Sequence, residues 1–290
     1  MNPLDIRVIQ VEATTKCNAW CPGCGRNNGG FGLKESLVIE DLGTDKFQSF
    51  VSQLPNLDVI DFCGTYGDAI AAANITELIT ISKLHTKKIV VRTNGSLRNQ
   101  SWWSSFASLL KDFDHEVWFC LDGLADTHSI YRQGTDFDTI IDNAKAFIEA
   151  GGSAVWQFIP WEHNQHQIKD CIVMSQRIGF KRFEFVKDVR KNFTARHYRT
   201  GEVINMVPWK NERLINKYDQ DRQHIEIKNC RHLTQPSVYL NASGKVSACC
   251  FFNDSICSDD LSGLPDISTE LGTTPRKQCL HYCGKYGIKN

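Results

Sequence analysis

The sequence predicts an α/β protein built around a parallel sheet. Three observations predict it. Six short strand-like stretches, beginning at Ile6, Leu57, Lys88, Val117, Ala154 and Arg182, are separated by stretches with helical spacing. The strands are short and apolar, as strands covered on both faces are. Strand and helix alternate with little interruption, the pattern of βα repeats. A doubly wound sheet and a barrel both satisfy this pattern.

Each element has its own signal. Residues 6–12 alternate apolar and polar, which predicts a strand. Arg26 to Gly32 is glycine-rich and predicts turns. Residues 45–54 place Phe47, Phe50, Val51 and Leu54 on one helical face. Residues 57–62 form the second strand, and 75–84 a helix with Asn74 as its N-cap. The third strand, 88–91, runs into the turn Arg92-Thr93-Asn94-Gly95, and a helix over 102–110 follows Ser101. The fourth strand, 117–121, ends at Asp122-Gly123. The amphipathic helix over 137–150 is closed by Gly151-Gly152, a C-terminal cap. In the fifth strand, 154–159, Trp156 and Phe158 share one face and Gln157 and Ile159 the other. Alternation alone does not say which face turns inward. A helix over 167–178 closed by Gly179 and a strand over 182–186 complete the series. The basic stretch that follows, with Lys187, Arg190, Lys191, Arg196, His197, Arg199 and Lys210, is interrupted by Gly201 and Pro208. It is expected to be a linker, 187–229.

Composition narrows the function classes. With 290 residues, 41% hydrophobic and 23% charged, the chain has ordinary globular make-up and room for a large domain with a smaller one. The net charge of zero gives no global pull toward nucleic acid or a membrane. No apolar run approaches the ~20 residues of a membrane span, and no secretory leader is predicted, so a cytoplasmic location is expected. Twelve cysteines are many for such a chain and favour metal or redox chemistry over a disulfide framework. They gather at both ends: Cys17, Cys21 and Cys24, then Cys230, Cys249, Cys250, Cys257, Cys279 and Cys283. Only Cys63, Cys120 and Cys171 lie between, so two metal centres are expected.

The first group has the spacing C-x3-C-x2-C, in Cys17-Asn18-Ala19-Trp20-Cys21-Pro22-Gly23-Cys24, on the loop leaving the first strand. A closed structural site asks for four protein ligands. Three leave a position open, as a [4Fe–4S] cluster with one unligated iron has. A zinc ion with a borrowed fourth ligand is the alternative.

At these residues the chain resembles the radical S-adenosylmethionine superfamily. The resemblance implies a partial (β/α)6 barrel, with Cys17, Cys21 and Cys24 holding a [4Fe–4S] cluster whose open iron chelates S-adenosylmethionine. In a barrel the chemistry sits at the C-terminal strand ends. After the second strand, Gly64, Tyr66, Gly67 and Asp68 resemble the glycine-rich segment whose backbone carbonyls hold the cofactor's amino group. The G-x-x-G-D form is longer than usual. After the third strand, Thr93-Asn94-Gly95 resembles a common T-N-G. After the fourth, Cys120-Leu121-Asp122-Gly123 resembles Ser-x-Asp-Gly, with Cys120 in place of the serine, a weaker donor. Asp122 then contacts the cofactor, and Arg132 is placed to pair with its carboxylate. Gln157 is a candidate for the polar lining. Cys63 and Cys120, both at strand ends, are candidate hydrogen-atom donors. The alternative is that each is a small buried hydrophobe.

The second group surrounds a predicted hairpin at residues 237–248, turning on Asn241-Ala242-Ser243-Gly244. Cys230, Cys249, Cys279 and Cys283 make a set of four thiolates, with Cys250 or Cys257 as substitutes. This resembles a SPASM/twitch extension with one auxiliary cluster. The expected domains are the barrel, 1–186, the linker, and a cysteine-rich domain, 230–290. The resemblance implies radical chemistry on a peptide or protein side chain, or on a small molecule such as an aminosugar or nucleotide precursor. It also implies an electron donor such as flavodoxin or ferredoxin. A zinc-binding interaction or nucleic-acid module is the reading from another class.

Overall fold

The first strand, β1 (Val8–Val11), sits inside an eight-stranded sheet and pairs in parallel on both sides. The computed structural model describes residues 2–186, 192–209, 237–250 and 257–262. From β1 the sheet runs outward through β2 (Leu57–Phe62), β3 (Thr86–Thr93), β4 (Asp114–Cys120), β5 (Ala154–Phe158) and β6 (Arg182–Phe185), each parallel to the last. The crossovers carry α1 (Thr44–Val51), α2 (Ile75–His85), α3 (Gln100–Leu110), α4 (His128–Tyr131), α5 (Phe137–Glu149) and α6 (Ile168–Ile178).

Side-chain alternation divides the sheet into two faces. Ile60, Phe62, Ile89, Val91, Val117, Phe119, Trp156 and Phe158 belong to one apolar core with Phe47, Phe50, Leu78, Trp103, Phe106 and Phe147 of the helices. The other face carries Asp61, Arg92, Glu116, Trp118, Gln157 and Arg182, which bond to one another. Gln157 therefore turns away from the helices, and Trp156 and Phe158 toward them. The polar residues lie where the apolar core does not reach. All six predicted strands and their helices are present, with small changes at the ends. Helix α3 starts earlier than expected because Asn99, not Ser101, accepts from Trp102 N–H at 3.0 Å. Asn74 makes no cap bond to α2. Its amide instead donates to Leu42 O and Thr44 Oγ1. Gly179 closes α6 with φ of 98°, as expected.

Among the described residues, two hairpins follow the sixth strand. β7 (Phe193–Arg196) and β8 (Val203–Met206) pair antiparallel within the stretch expected to be a linker. β9 (Ser237–Leu240) and β10 (Val246–Ser247) form the predicted hairpin, but β9 pairs in parallel with β1. That hairpin therefore extends the barrel sheet rather than building a sheet of its own, because β1 would otherwise expose an unpaired edge. No helix among the described residues is long and apolar enough to cross a membrane.

Candidate functional site

The cysteine loop leaves β1 at the sheet's C-terminal edge and is gripped by the loops after three neighbouring strands. Arg26 lies just past Cys24 and is buried. Its guanidinium donates to Thr15 O, to Tyr66 O at 3.2 Å and to Cys17 O at 3.5 Å, which ties the cysteine loop to the loop after β2. Asn94, after β3, donates to Asn18 Oδ1 at 2.9 Å. Trp20 N–H donates to Gln133 O at 2.7 Å, and the Trp20 ring stacks on Tyr198 of the β7–β8 turn.

The sulfurs meet donors as well. Ala19 N–H points at Cys17 Sγ at 3.4 Å, Asn94 Nδ2 at the same sulfur at 3.8 Å, and Arg132 Nη1 at Cys21 Sγ at 3.8 Å. Cys24 Sγ lies 3.9 Å from Thr65 O. Burial, and then the neighbouring Asp68 and thiols, push the Cys17 thiol well up, and burial and Cys21 push Cys24 up to about 11. Three close thiols in a poorly solvated loop cannot all ionise by themselves. A bound cationic centre reverses this, and the N–H donors are already aimed at sulfur. Among the described residues no three His, Cys, Asp or Glu side chains converge as ligands of one metal ion. A cubane makes a different demand, one cysteine for each of several irons, and the donor set fits that demand.

The residues predicted to bind the cofactor are brought to the same edge, each held from within. Asp68 is buried. It accepts from Ile70 N–H, from Thr93 Oγ1 at 2.8 Å and from Asn94 N–H at 2.6 Å, so it clamps the β2 loop to the β3 loop. Gly67 packs so closely that a Cβ would stand 1.9 Å from Thr14 O, and one on Gly64 would stand 2.0 Å from Gly67 O. Asp122 is fully buried, accepts from Ile159 N–H at 2.6 Å, and pairs with Arg132 Nε at 2.6 Å. His128 accepts from Asp122 N–H at 3.2 Å. Burial, helped by Arg132, holds it neutral with a pKa lowered to about 3. Gln157 accepts from Arg92 Nη1 at 3.1 Å. Arg92 also binds Asp61 and lies 4.2 Å from the Trp118 ring centre. Cys63 and Cys120 flank this guanidinium, and burial pushes both thiols up, Cys120 to about 11.

No protein-family model and no curated protein sequence matches the chain. Solved structures do match. Streptococcus suis SuiB bound to S-adenosylmethionine superposes with a TM-score of 0.62 at 12% identity, over 89% of this chain and 64% of SuiB. The same protein bound to precursor peptide SuiA gives 0.63 at 14%, over 96% and 70%. Native anSMEcpe with bound AdoMet gives 0.62 at 16%, over 95% and 83%. The chain has their partial-barrel fold. It spans somewhat less than two thirds of the length of SuiB in the first of these structures.

Of the second cysteine group, Cys249, Cys250 and Cys257 are described, and Cys230, Cys279 and Cys283 lie outside the described residues. Cys249 is buried just beyond β10, its carbonyl accepting from Ser247 Oγ at 3.0 Å. Sequence reasoning missed Glu12, Arg26, Asn18 and the Trp20–Tyr198 stack. Glu12 had one signal, a carboxylate closing a strand of buried apolar residues. The others are tertiary, since nothing local ties Arg26 to Tyr66 or Trp20 to Tyr198.

Proposed function

We propose that the chain is a radical S-adenosylmethionine enzyme. The observation that carries the reading is the loop after β1, where three thiols with converging N–H donors sit at the edge to which Asp68, Asn94, Asp122 and Arg132 are also brought. Cys17, Cys21 and Cys24 would hold a [4Fe–4S] cluster, which together with bound S-adenosylmethionine would supply one-electron reductive cleavage and hydrogen-atom abstraction chemistry. The chain's own residues do the rest. Ala19, Asn94 and Arg132 donate hydrogen bonds toward the sulfurs, which favours a lower, more negative charge on them. Backbone carbonyls of the loop holding Gly64, Tyr66 and Gly67 would take the cofactor's amino group. Arg132 Nη2, whose Nε neighbour is committed to Asp122 and whose Nη1 neighbour points at Cys21 Sγ, would take its carboxylate. Gln157 and Arg92 line the polar face beneath, with Cys63 and Cys120 beside them as candidate hydrogen-atom donors. Trp20, Tyr198 and Gln133 pack together on the outer side of the cysteine loop.

A peptide is the preferred substrate. SuiB bound to precursor peptide SuiA and anSMEcpe bound to the Cp18Cys peptide share the fold, the latter at a TM-score of 0.58. A small-molecule substrate is the second reading. A low-potential carrier such as flavodoxin or ferredoxin would deliver the electron. The C-terminal region, with Cys249 and the cysteines around it, would hold an auxiliary cluster, reached from the barrel sheet through the β9–β10 hairpin that pairs with β1.

Anaerobic reconstitution followed by iron, sulfide and absorption measurements tests the assignment. About eight irons per chain are expected for two cubanes, and about four fewer after replacing Cys17, Cys21 and Cys24 by alanine. Colourless protein holding only zinc overturns it. Alanine at Cys63 and at Cys120 tests hydrogen donation, and unchanged product formation in both variants removes that role.

A further inference from the structure

We propose that Glu12 is a positioning residue for the loop after β2, locked in place by Tyr239 of the β9–β10 hairpin. The inference rests on the reading above that this loop cradles the cofactor.

Glu12 follows β1 and is 1% exposed. One carboxylate oxygen accepts from Tyr66 N–H at 2.9 Å and Gly67 N–H at 2.8 Å. The other accepts from the Tyr239 hydroxyl, 227 residues away in sequence. Its own N–H donates to Leu240 O at 2.8 Å. A carboxylate taken out of water is costly unless several donors meet it. Simple filling of this spot would be done better by an apolar side chain.

The consequence lies on the opposite side of the loop. In a trans peptide the carbonyl points away from the N–H that follows it. Holding the N–H groups of Tyr66 and Gly67 against Glu12 therefore turns the carbonyls of Thr65 and Tyr66 outward. Those carbonyls face the cysteine loop, with Thr65 O at Cys24 Sγ and Tyr66 O at Arg26 Nη1. They are oriented acceptors for an ammonium group at the cluster. The close fit of Gly67 on Thr14 O prevents the loop from settling elsewhere. Tyr239 holds the second oxygen, so the carboxylate cannot rotate away, and the hairpin that leads to Cys249 becomes part of the cradle's support.

The test uses the full chain and four variants: Glu12→Ala, Glu12→Gln, Tyr239→Phe and His115→Ala. His115 is a buried residue whose Nε2 accepts from Ser153 N–H near the start of β5, and it controls for general destabilisation. Amide exchange at Tyr66 and Gly67, measured without cluster or cofactor, is expected to rise about tenfold in Glu12→Ala over His115→Ala, and less in Tyr239→Phe. Glu12→Gln keeps an acceptor oxygen and is expected to restore most of the protection. After reconstitution, the KM for S-adenosylmethionine in substrate-free cleavage is expected to rise about tenfold in Glu12→Ala with a smaller change in kcat. Equal exchange in Glu12→Ala and His115→Ala, or an unchanged KM in Glu12→Ala, overturns the proposal. Should Glu12→Ala not fold, the Glu12→Gln and Tyr239→Phe exchange data decide: protection in Tyr239→Phe equal to wild type overturns it. Wild-type protein that binds no S-adenosylmethionine would end the cofactor reading, while the exchange arm would still judge the strut.

Discussion

Arg132→Ala probes the most deeply committed ion pair at the site. Asp122 has no exposure, and Arg132 Nε lies 2.6 Å from its Oδ2. The other oxygen already accepts from Ile159 N–H at 2.6 Å. Removing the guanidinium takes the paired cation away from a buried carboxylate. Stripping one partner from such a pair costs ~3–5 kcal/mol. Unfolding entropy of ~2.1 cal/mol/K per residue over 290 residues gives ~0.6 kcal/mol/K, so the expected fall in Tm is roughly 5–8 °C. Asp122→Asn keeps an oxygen for Ile159 N–H or for Arg132 Nε, and Arg132 keeps its contact with Cys21 Sγ, so it is expected to cost less. The double variant should be more stable than the sum of the singles by ~1–3 kcal/mol. Urea unfolding of all four proteins under reducing conditions measures the cycle. Additivity within ~0.5 kcal/mol would refute the reasoning, because it would mean that Asp122 never depended on Arg132. The cycle also bears on the cofactor. If the pair is coupled as strongly as this, Arg132 is pre-oriented before any ligand arrives.

Acidification should weaken the fold through His128. Its folded pKa is about 3 against 6.5 when unfolded, so the unfolded state binds the proton first, and the stabilisation is complete above 6.5 and lost as pH falls toward 3. At pH 5 the loss is ~2 kcal/mol relative to pH 8, and His128→Gln should shrink the pH 5 to pH 8 difference by that amount in urea titrations. Glu12 has the opposite sign. Burial raises it to about 7, so its contribution is present below 4.5 and lost as pH rises through 7, and Glu12→Gln should flatten the curve on the alkaline side. Gly67→Ala should cost ~1–3 kcal/mol and abolish S-adenosylmethionine binding in equilibrium dialysis, since the new methyl meets backbone at Thr14. Gly151→Ala has a φ of 93° but nothing within 4 Å, and should cost only ~1 kcal/mol with binding intact.

Much of the fold was legible because its signals are local. The periodicity of Phe47, Phe50 and Val51, the glycine at 179 and the hairpin turn at Asn241–Gly244 each depend on a few neighbouring residues. Side-chain capping was less legible: Ser101 and Asn99 are both good cap residues, and the folded chain uses Asn99. The role of Asp68 was legible in position but not in kind. The sequence put it at the strand end, and the structure spends its oxygens on Thr93, the last residue of β3, and Asn94 just after it.

By itself the sequence determined the βα alternation, the number and order of the barrel strands, and three thiols spaced to share a loop. Periodicity and spacing are properties of adjacent residues, so no folding is needed to read them. The tertiary structure decided which strand face is polar, that the 237–247 hairpin joins the barrel sheet beside β1, and that Glu12, Arg26 and Tyr239 brace the loops around the cysteines. Those contacts join residues up to 227 apart, and their partners are fixed by sheet order and burial, which no local pattern encodes.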